Sequence, residues 1–283
     1  LTIVSEPEEG TTVTVRLPLP LTEAPVVIQP PPSAALPCRH VLIVDDSTPN
    51  LTVMRLQLEK LGQQVTCCDS AQAALDYLTG QQIDILITDC QMPQMDGYQL
   101  VRTLLVRDML EQAHAPALII GCTANALPRE EDYARHAGMD DLLRKPLMTS
   151  RLEQALTQHQ AHDGESPDTS ELAALADHQP DMIALLLQQI HEAVSQDLVA
   201  LTQLTHPEPE TLSRIAHRLK GSWRLLNMRR AMRCCLVLEN WLEWREESAM
   251  SEMDITRLLA GFITVMRESL AQLSPLISDD TEG

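Results

Sequence analysis

Five short apolar runs alternate with helical stretches between residues 39 and 158, and this pattern limits the possible folds more than any other feature of the sequence. The runs read HVLIV, QVTCC, IDILIT, ALIIGC and DLLR. They are nearly continuously apolar, which is typical of strands whose two faces are both covered by helices. Helices are expected at 49–61, at 70–79, from Asp96, after Pro128 and from about 149. Residues 39–158 are therefore predicted to form a doubly wound, five-stranded parallel α/β sheet.

Charged and hydroxyl side chains follow four of these strands, at the edge where open α/β sheets bind ligands. Asp45 and Asp46 end the first strand, Asp89 the third and Thr123 the fourth, and Lys145 follows the fifth. Three crowded carboxylates repel one another unless a cation lies among them, and oxygen ligands suit Mg²⁺, or alternatively Mn²⁺. Lys145 and the Thr123 hydroxyl are then expected to hold phosphoryl oxygens. Asp89 remains as a nucleophile able to form an acyl phosphate.

Residues 40–158 resemble a response-regulator receiver domain, which has a flavodoxin-like fold. The matching motifs are VDD (44–46), TDCQMPQMDG (88–97), TAN (123–125) and KP (145–146). The resemblance implies that Asp89 is phosphorylated. It also implies that Asp46, Asp89, the backbone carbonyl of Gln91 and, through water, Asp45 bind Mg²⁺. It further implies a cis peptide bond between Lys145 and Pro146.

Two departures from familiar patterns affect this interpretation. Receiver domains usually carry Tyr or Phe where this chain has Leu142, so a switch in which an aromatic ring turns inward cannot operate in that form. An aspartate-nucleophile hydrolase is a further candidate class. It is disfavoured because such enzymes usually carry a second aspartate two residues after the nucleophile, where this chain has Gln91.

Residues 171–278 show only helical periodicity, which predicts a bundle of four or five helices. In the segment RIAHRLKGSWRLLN (214–227), apolar residues at helical spacing form a core stripe, and His217 lies opposite that stripe. Gly221 is one turn away on the same face, although a helix-interior glycine costs about 1 kcal/mol relative to alanine. Gly221 therefore suggests that the His217 imidazole is kept open to a partner, although an exposed histidine is more often an ordinary surface residue.

This second segment resembles a histidine phosphotransfer (HPt) domain, whose core motif H-x-x-K-G is matched by His217, Lys220 and Gly221. Trp223 departs from the pattern, since a small residue is common there, and so does Asn227-Met228, where Gly-Ala is usual. Both departures concern packing. The resemblance implies that His217 accepts and donates a phosphoryl group. Basic residues are expected around this imidazole: Arg214, Arg218, Lys220 and Arg224.

The remaining segments suggest a larger architecture. Residues 1–17 are similar to the end of a histidine-kinase ATP-binding domain, residues 18–38 form a proline-rich linker, and residues 159–170 form a polar linker. The order of segments resembles the C-terminal part of a tripartite hybrid sensor histidine kinase of the bacterial virulence-sensor type. The kinase motifs for ATP binding and dimerisation are absent here, so this fragment is expected not to autophosphorylate.

Charge and composition restrict partners and location. The formal net charge of −19 disfavours direct binding to nucleic acid. Seven cysteines without CxxC or zinc-site spacing are typical of a reducing cytosol. No apolar stretch approaches the roughly 18 residues of a membrane span. We expect a cytoplasmic fragment that meets a membrane only through upstream segments, and a full-length protein in the bacterial inner membrane.

Together, the two resemblances predict a phosphorelay. Asp89 accepts a phosphoryl group from the histidine of an upstream kinase core, in the same polypeptide or a dimer partner, and passes it to His217. His217 then phosphorylates a separate downstream response regulator. The alternative is a regulatory module in which the receiver restrains the kinase and the helical bundle is a docking scaffold without phosphotransfer.

Overall fold

The structure, a computed structural model, describes residues 1–6, 10–16, 36–111, 113–124, 127–159, 166–203, 208–240 and 252–278. It divides into two compact units, Leu1–Ala35 and Leu36–Gly283. In the first unit, strand β1 (Thr2–Glu6) pairs antiparallel with β2 (Gly10–Thr14). The alternation of polar and apolar residues from Thr12 to Leu17 predicts a strand there. Strand β2 instead begins at Gly10 and ends at Thr14, which pairs with Thr2 at the start of β1.

Residues 40–158 of the second unit form the predicted α/β sheet. The strands are β3 (His40–Val44), β4 (Gln64–Cys68), β5 (Ile85–Asp89), β6 (Leu118–Thr123) and β7 (Asp141–Arg144). The helices are α1 (Thr48–Lys60), α2 (Ala71–Leu78), α3 (Gly97–Met109), α4 (Pro128–Ala137) and α5 (Thr149–Gln158). All strand pairs are parallel, and their order across the sheet is β4-β3-β5-β6-β7.

Both faces of this sheet are covered, as the apolar strands predicted. Alternate residues of one strand enter opposite layers: on β3, Leu42 packs with Leu86 and Ile119, whereas Ile43 packs with Ile87 and Ile120. All six are fully buried. A period of two residues therefore distributes one strand between two cores, which explains why the sequence runs are nearly continuously apolar.

The regular secondary structure of the described residues from 170 onward is entirely helical. They form α6 (Ser170–Leu175), α7 (Pro180–Gln203), α8 (Pro209–Leu225), α9 (Arg229–Glu239), α10 (Glu252–Ala271) and α11 (Ser274–Ser278). In the sequence, Gln179-Pro180 and THPEPE (205–210) predict breaks between helices, and described helices are separated at both places. The break that REESAMSE (245–252) predicts falls mostly outside the described residues. Trp223 and Phe262 fill the centre with fully buried rings. Asn227 follows the end of α8 with φ 49°, a conformation that asparagine tolerates better than most residues with a Cβ.

The helical bundle packs against the α/β sheet within the second unit. Helices α9 and α10 lie on α3, and buried apolar residues of both parts belong to one contiguous cluster. The polar segment at 159–170 therefore connects two parts that are in contact. Among the described residues, no helix combines the length and the apolar character needed to cross a membrane.

Candidate functional site

Three carboxylates meet at the carboxyl edge of the sheet. Strands β3 and β5 are neighbours, so the residues that end them, Asp45, Asp46 and Asp89, lie side by side. One oxygen of each lies within 4.8 Å of the others. Asp45 is fully buried, whereas Asp46 is exposed. This oxygen-only cluster has the donor set that Mg²⁺ prefers in proteins.

Lys145 lies between two of these carboxylates. Its Nζ atom is 2.6 Å from Oδ2 of Asp45 and 2.8 Å from Oδ2 of Asp89. Burial alone lowers the pKa of Lys145, but hydrogen bonds to Asp45 and Asp89 outweigh burial and raise that pKa above its ordinary value. The side chain is therefore an ammonium. Its backbone N–H donates to the carbonyl of Thr123 at 2.8 Å, and the peptide bond to Pro146 is cis, as the resemblance implied.

The segment after β5 is shaped around Asp89. A Cβ atom on Gly97 would lie only 2.1 Å from the Asp89 carbonyl oxygen, so this position requires glycine. The Asp96 carboxylate accepts the Gln99 N–H at 2.7 Å and caps α3. The backbone N–H of Gln91 donates to Oδ1 of Asp89 at 3.3 Å. The local motif thus holds the loop close to the carboxylate.

A buried aspartate is held by residues that sequence reasoning did not identify. Asp45 accepts the Ser47 N–H at 2.9 Å and the side-chain amide of Asn50 at 3.1 Å. These donors, together with Lys145, satisfy the buried Asp45 carboxylate. Thr123 is also buried, at the end of β6.

Leu142 occupies the position at which receiver domains usually carry an aromatic residue. Leu142 is partly buried on β7 opposite Gly121. A Cβ atom on Gly121 would lie 2.9 Å from a Leu142 methyl carbon. A different aromatic residue connects the neighbouring helices, because the Tyr98 hydroxyl on α3 donates to the Glu130 carboxylate on α4 at 2.6 Å. Burial and this hydrogen bond raise the pKa of Tyr98.

His217 projects from α8 into solvent. Its side chain is 72% exposed, whereas Leu212, Ile215 and Leu219 on the opposite stripe are buried, as the helical periodicity indicated. A Cβ atom on Gly221 would have no neighbour within 4 Å. The space beside the imidazole is therefore open to an approaching partner.

Glu239 on α9 orients this imidazole, although its distance in sequence gave no local signal. Its Oε1 atom is 2.7 Å from Nδ1 of His217, and its Oε2 atom accepts from the Lys220 ammonium. Burial alone raises the pKa of Glu239, but these two hydrogen bonds outweigh burial and hold that pKa below its ordinary value. A carboxylate at Nδ1 selects the tautomer with the proton on Nδ1, which leaves the lone pair on Nε2.

The basic residues expected around His217 divide into two groups. Arg218 pairs with Asp197 at 2.5 Å, and Lys220 pairs with Glu239. Arg214 and Arg224 are exposed on α8. Acidic partners on neighbouring helices therefore offset part of the positive charge that the sequence of α8 suggests.

Two such sites in one chain define a class of protein that carries phosphoryl groups on aspartate and histidine. Family models agree: residues 41–157 match the response regulator receiver domain, and residues 181–275 match the Hpt domain. The chain is thus a receiver–Hpt module of the phosphorelay type found in hybrid sensor kinases.

Most of the chain is similar to known sensor proteins. The virulence sensor protein BvgS of Bordetella bronchiseptica is 34% identical over 267 residues, covering 84% of this chain and 22% of BvgS. The sensor protein EvgS of Escherichia coli is 29% identical over 287 residues, covering 98% of this chain and 23% of EvgS. The chain therefore spans about a quarter or less of the length of these relatives.

Solved structures include a similar receiver domain. That of the sensor histidine kinase PA1611 from Pseudomonas aeruginosa, determined with magnesium in its active site cleft, is 31% identical to this chain. The match has a TM-score of 0.39 and covers 44% of this chain and 99% of the PA1611 domain.

Proposed function

We propose that Asp89 accepts a phosphoryl group from the histidine of an upstream kinase core and passes it to His217, which phosphorylates a separate response regulator. The observation that best supports this path is the hydrogen bond between Glu239 and Nδ1 of His217, because it leaves Nε2 as a nucleophile in solvent. Lys145 and the Thr123 hydroxyl are proposed to hold the phosphoryl oxygens at Asp89.

The two transfers balance without an added reactant. A carboxylate oxygen of Asp89 attacks phosphorus, an O–P bond forms, and the N–P bond to the donor imidazole breaks. In the second transfer, the Nε2 lone pair of His217 attacks phosphorus, an N–P bond forms, and the O–P bond to Asp89 breaks. The Nδ1 proton stays on the ring, whose positive charge is then stabilised by the Glu239 carboxylate.

The acidic cluster fits a divalent cation. Mg²⁺ or Mn²⁺ would be held by Asp46, Asp89, the backbone carbonyl of Gln91 and, through water, Asp45. The three carboxylates already converge and supply only oxygen donors. When bound, the cation neutralises charge on the phosphoryl oxygens.

Chelation is expected to stop phosphoryl uptake. With EDTA present, labelling of Asp89 by acetyl phosphate falls to background, because the phosphoryl group then meets an uncompensated acidic cluster. Incorporation of ³²P into the chain measures this, and an excess of Mg²⁺ over EDTA is expected to restore it. Equal labelling with and without chelator would remove the carboxylate–metal part of the proposal.

The surrounding architecture is also proposed. Residues 39–158 are the receiver domain and 171–278 the HPt domain, joined by 159–170, with 18–38 as a linker after a kinase remnant at 1–17. The full-length protein is then a hybrid histidine kinase in the bacterial inner membrane, with this part in the cytoplasm. The described residues before 36 form only a two-stranded hairpin, so we expect this fragment to incorporate no label from ATP alone.

The whole path can be tested by following the chemical lability of the label. After brief loading with acetyl phosphate, phosphate first appears in an acyl linkage that alkali hydrolyses. It then moves to a phosphoramidate linkage that acid hydrolyses, as His217 becomes phosphorylated. A label that never becomes acid-labile, and never reaches a panel of purified response regulators, would favour the scaffold alternative.

Glu239 is expected to act as a positioning residue. Glu239→Leu removes the acceptor at Nδ1, and we expect transfer between Asp89 and His217 to slow by about tenfold or more. Glu239→Gln retains an acceptor oxygen and is expected to recover part of the rate. Rapid-quench measurement of both variants tests this, with circular dichroism as the folding control. Equal rates in Glu239→Leu and the parent chain would contradict the assigned role.

Gly221 offers a test in which stability and activity move in opposite directions. Gly221→Leu is expected to stabilise α8 by about 0.5–1 kcal/mol, because leucine is a better helix former and meets open space. The same side chain obstructs in-line approach to His217, so transfer is expected to slow strongly. Thermal unfolding and the transfer rate measure the two effects. A variant that is more stable and equally fast would show that Gly221 does not serve access.

A further inference from the structure

An ion pair anchors helix α9 of the HPt domain to the receiver. Arg233 is only 6% exposed, and its guanidinium donates to the carbonyl of Pro116 at 2.6 Å and to that of Ala117 at 3.4 Å. It also pairs with the Asp140 carboxylate. A buried arginine is rare unless it is paired, so the receiver groups around this side chain determine where α9 lies.

Helix α10 packs on receiver helix α3 through a glycine. A Cβ atom on Gly261 would lie 2.2 Å from the carbonyl oxygen of Met109, the last residue of α3. Glycine is among the least favourable residues inside a helix, and this close approach gives a reason for its presence. We call the packing of α9 and α10 on α3, together with the Arg233 ion pair, the α3 interface.

Helix α9 extends from the amino edge of the sheet toward its carboxyl edge. Pro116 and Ala117 precede β6, so Arg233 is held at the amino edge. Asn240, the residue that caps α9, lies about 10 Å further along the helix axis, at about 1.5 Å per residue. There it lines a cavity together with Gln91, which belongs to the loop after β5 at the carboxyl edge. The α3 interface therefore directs the end of α9 to the edge that carries the aspartates.

One cavity borders the surroundings of both phosphoryl-accepting side chains. Its volume of about 650 Å³ leaves room for an imidazole ring and a phosphoryl group together. On the receiver side, Gln91 lines this cavity and donates its N–H to Oδ1 of Asp89 at 3.3 Å. On the HPt side, Asn240 directly follows Glu239, whose Oε1 atom is 2.7 Å from Nδ1 of His217. The two walls thus come from segments that hold the two accepting groups.

Docking of the two domains in one chain favours transfer within the chain over transfer between chains. Sites joined by a short linker meet at an effective concentration in the millimolar range, roughly a thousandfold above that of chains dissolved at about 1 µM. The His217 side chain is 72% exposed, and Gly221 leaves open space beside it. The imidazole is therefore free to move toward a phosphoryl group on Asp89, until Nε2 and phosphorus are about 3–3.5 Å apart.

We infer that the α3 interface presents His217 to Asp89 of the same chain, so that this step of the relay is intramolecular. Arg233 and Gly261 are positioning residues for the step, because they determine the placement of α9 and α10. The inference rests on the proposed function and adds which copy of His217 is the acceptor. In the step, the Nε2 lone pair attacks phosphorus, an N–P bond forms, and the O–P bond to Asp89 breaks.

Mixing two chains that each lack one accepting group tests whether the step is intramolecular. His217→Gln is loaded with acetyl phosphate, desalted, and mixed with an equal amount of Asp89→Asn at about 1 µM. Acid-labile label in this mixture requires transfer between chains, and we expect it to form at least about tenfold more slowly than in the loaded parent chain. The parental rate is expected to be independent of chain concentration. Rapid quench over a range of concentrations measures both.

Loosening the α3 interface tests the two positioning residues. Gly261→Leu forces α10 away from α3, and Arg233→Gln removes the cation from the buried ion pair, so the changes act at separate contacts. Since the rate scales with the fraction of docked chains, we expect transfer within the chain to be at least about fivefold slower in each. Uptake by the receiver is expected to keep its parental rate. Arg233→Lys, which retains the cation, is expected to recover part of the transfer rate. Ala260→Leu, at an exposed position of α10, is the matched control and is expected to transfer like the parent.

The outcomes separate this inference from the proposed function. A mixture of His217→Gln and Asp89→Asn that transfers as fast as the parent chain, or a parental rate that rises with concentration, would overturn the inference. So would a parental transfer rate in a folded Gly261→Leu or Arg233→Gln chain, and if one of these unfolds by circular dichroism, the other decides. Absence of acid-labile label in every sample, including the loaded parent chain, would instead count against the proposed function.

Discussion

Replacing His217 with glutamine is expected to abolish phosphorylation of a downstream response regulator while uptake at Asp89 continues at the parental rate. Glutamine is polar and of similar length, but its amide nitrogen has no available lone pair, so the N–P bond cannot form. Loss of a nucleophile costs at least roughly 10³-fold in rate. The measurement is ³²P transfer from loaded chain to purified regulator, followed over time.

The design separates loss of the nucleophile from loss of the fold. His217 is exposed, so His217→Gln is expected to leave the bundle's thermal stability within about 0.5 kcal/mol of the parent. His136→Gln, at an exposed histidine of α4, is the matched control and is expected to relay normally. Undiminished regulator phosphorylation by His217→Gln would mean that the phosphoryl group leaves the receiver by another path.

Asp89→Asn is expected to remove phosphoryl uptake altogether. The amide oxygen is a poor nucleophile and cannot form an acyl phosphate, so label from either a phosphorylated kinase core or acetyl phosphate falls to background. Lys145 retains Asp45 as a partner in this variant, so the receiver is expected to stay folded.

The matched control for that change is Asp76→Asn, at an exposed aspartate of α2, which is expected to label like the parent. Acid-labile label in Asp89→Asn after acetyl phosphate loading would show that His217 acquires phosphate directly, without the receiver. That outcome would reverse the assigned order of transfer.

The residues at the carboxyl edge of the sheet were predictable because local signals identify each strand and where it ends. Each apolar run identifies a strand, and in a parallel sheet all strands end at the same edge, so Asp45, Asp89 and Lys145 had to converge. Their separations along the chain did not matter. Likewise, the spacing of apolar residues by three and four positions on a single helix was enough to place His217 on the side opposite the core.

Residues whose roles depend on packing between helices could not be located in this way. Glu239 reaches His217 only because α9 packs on α8, and no spacing rule connects residues 22 positions apart. Arg233 occurs on a helix whose sequence does not indicate a receiver partner. Gly261 did carry a sequence signal, because a glycine inside a helix often marks a place where another group comes close. At Gly261 that group is the Met109 backbone, whereas Gly221 leaves open space for an approaching partner.

The contact between Tyr98 and Glu130 bears on how the receiver transmits its state. Leu142 stands where the sequence resemblance leads one to expect a switching aromatic residue, whereas Tyr98 directly follows Gly97, which lies against the Asp89 carbonyl. A shift of the loop around Asp89 would therefore reach α4 through this hydrogen bond. The sequence shows Leu142 where receiver domains usually carry an aromatic residue, but it could not show that the Tyr98 ring connects α3 with α4.

The close approach of Gly261 to the Met109 backbone also limits which sequence changes the two domains can accept independently. A larger residue at 261 is tolerated only if the end of α3 moves, so a change in one domain alters what the other can accept. Recombination that exchanges one domain for that of a distant sensor would keep each fold and break this fit. The receiver and HPt domains are in this respect one packing unit, in which a substitution on one side of the boundary limits what the other side can accept.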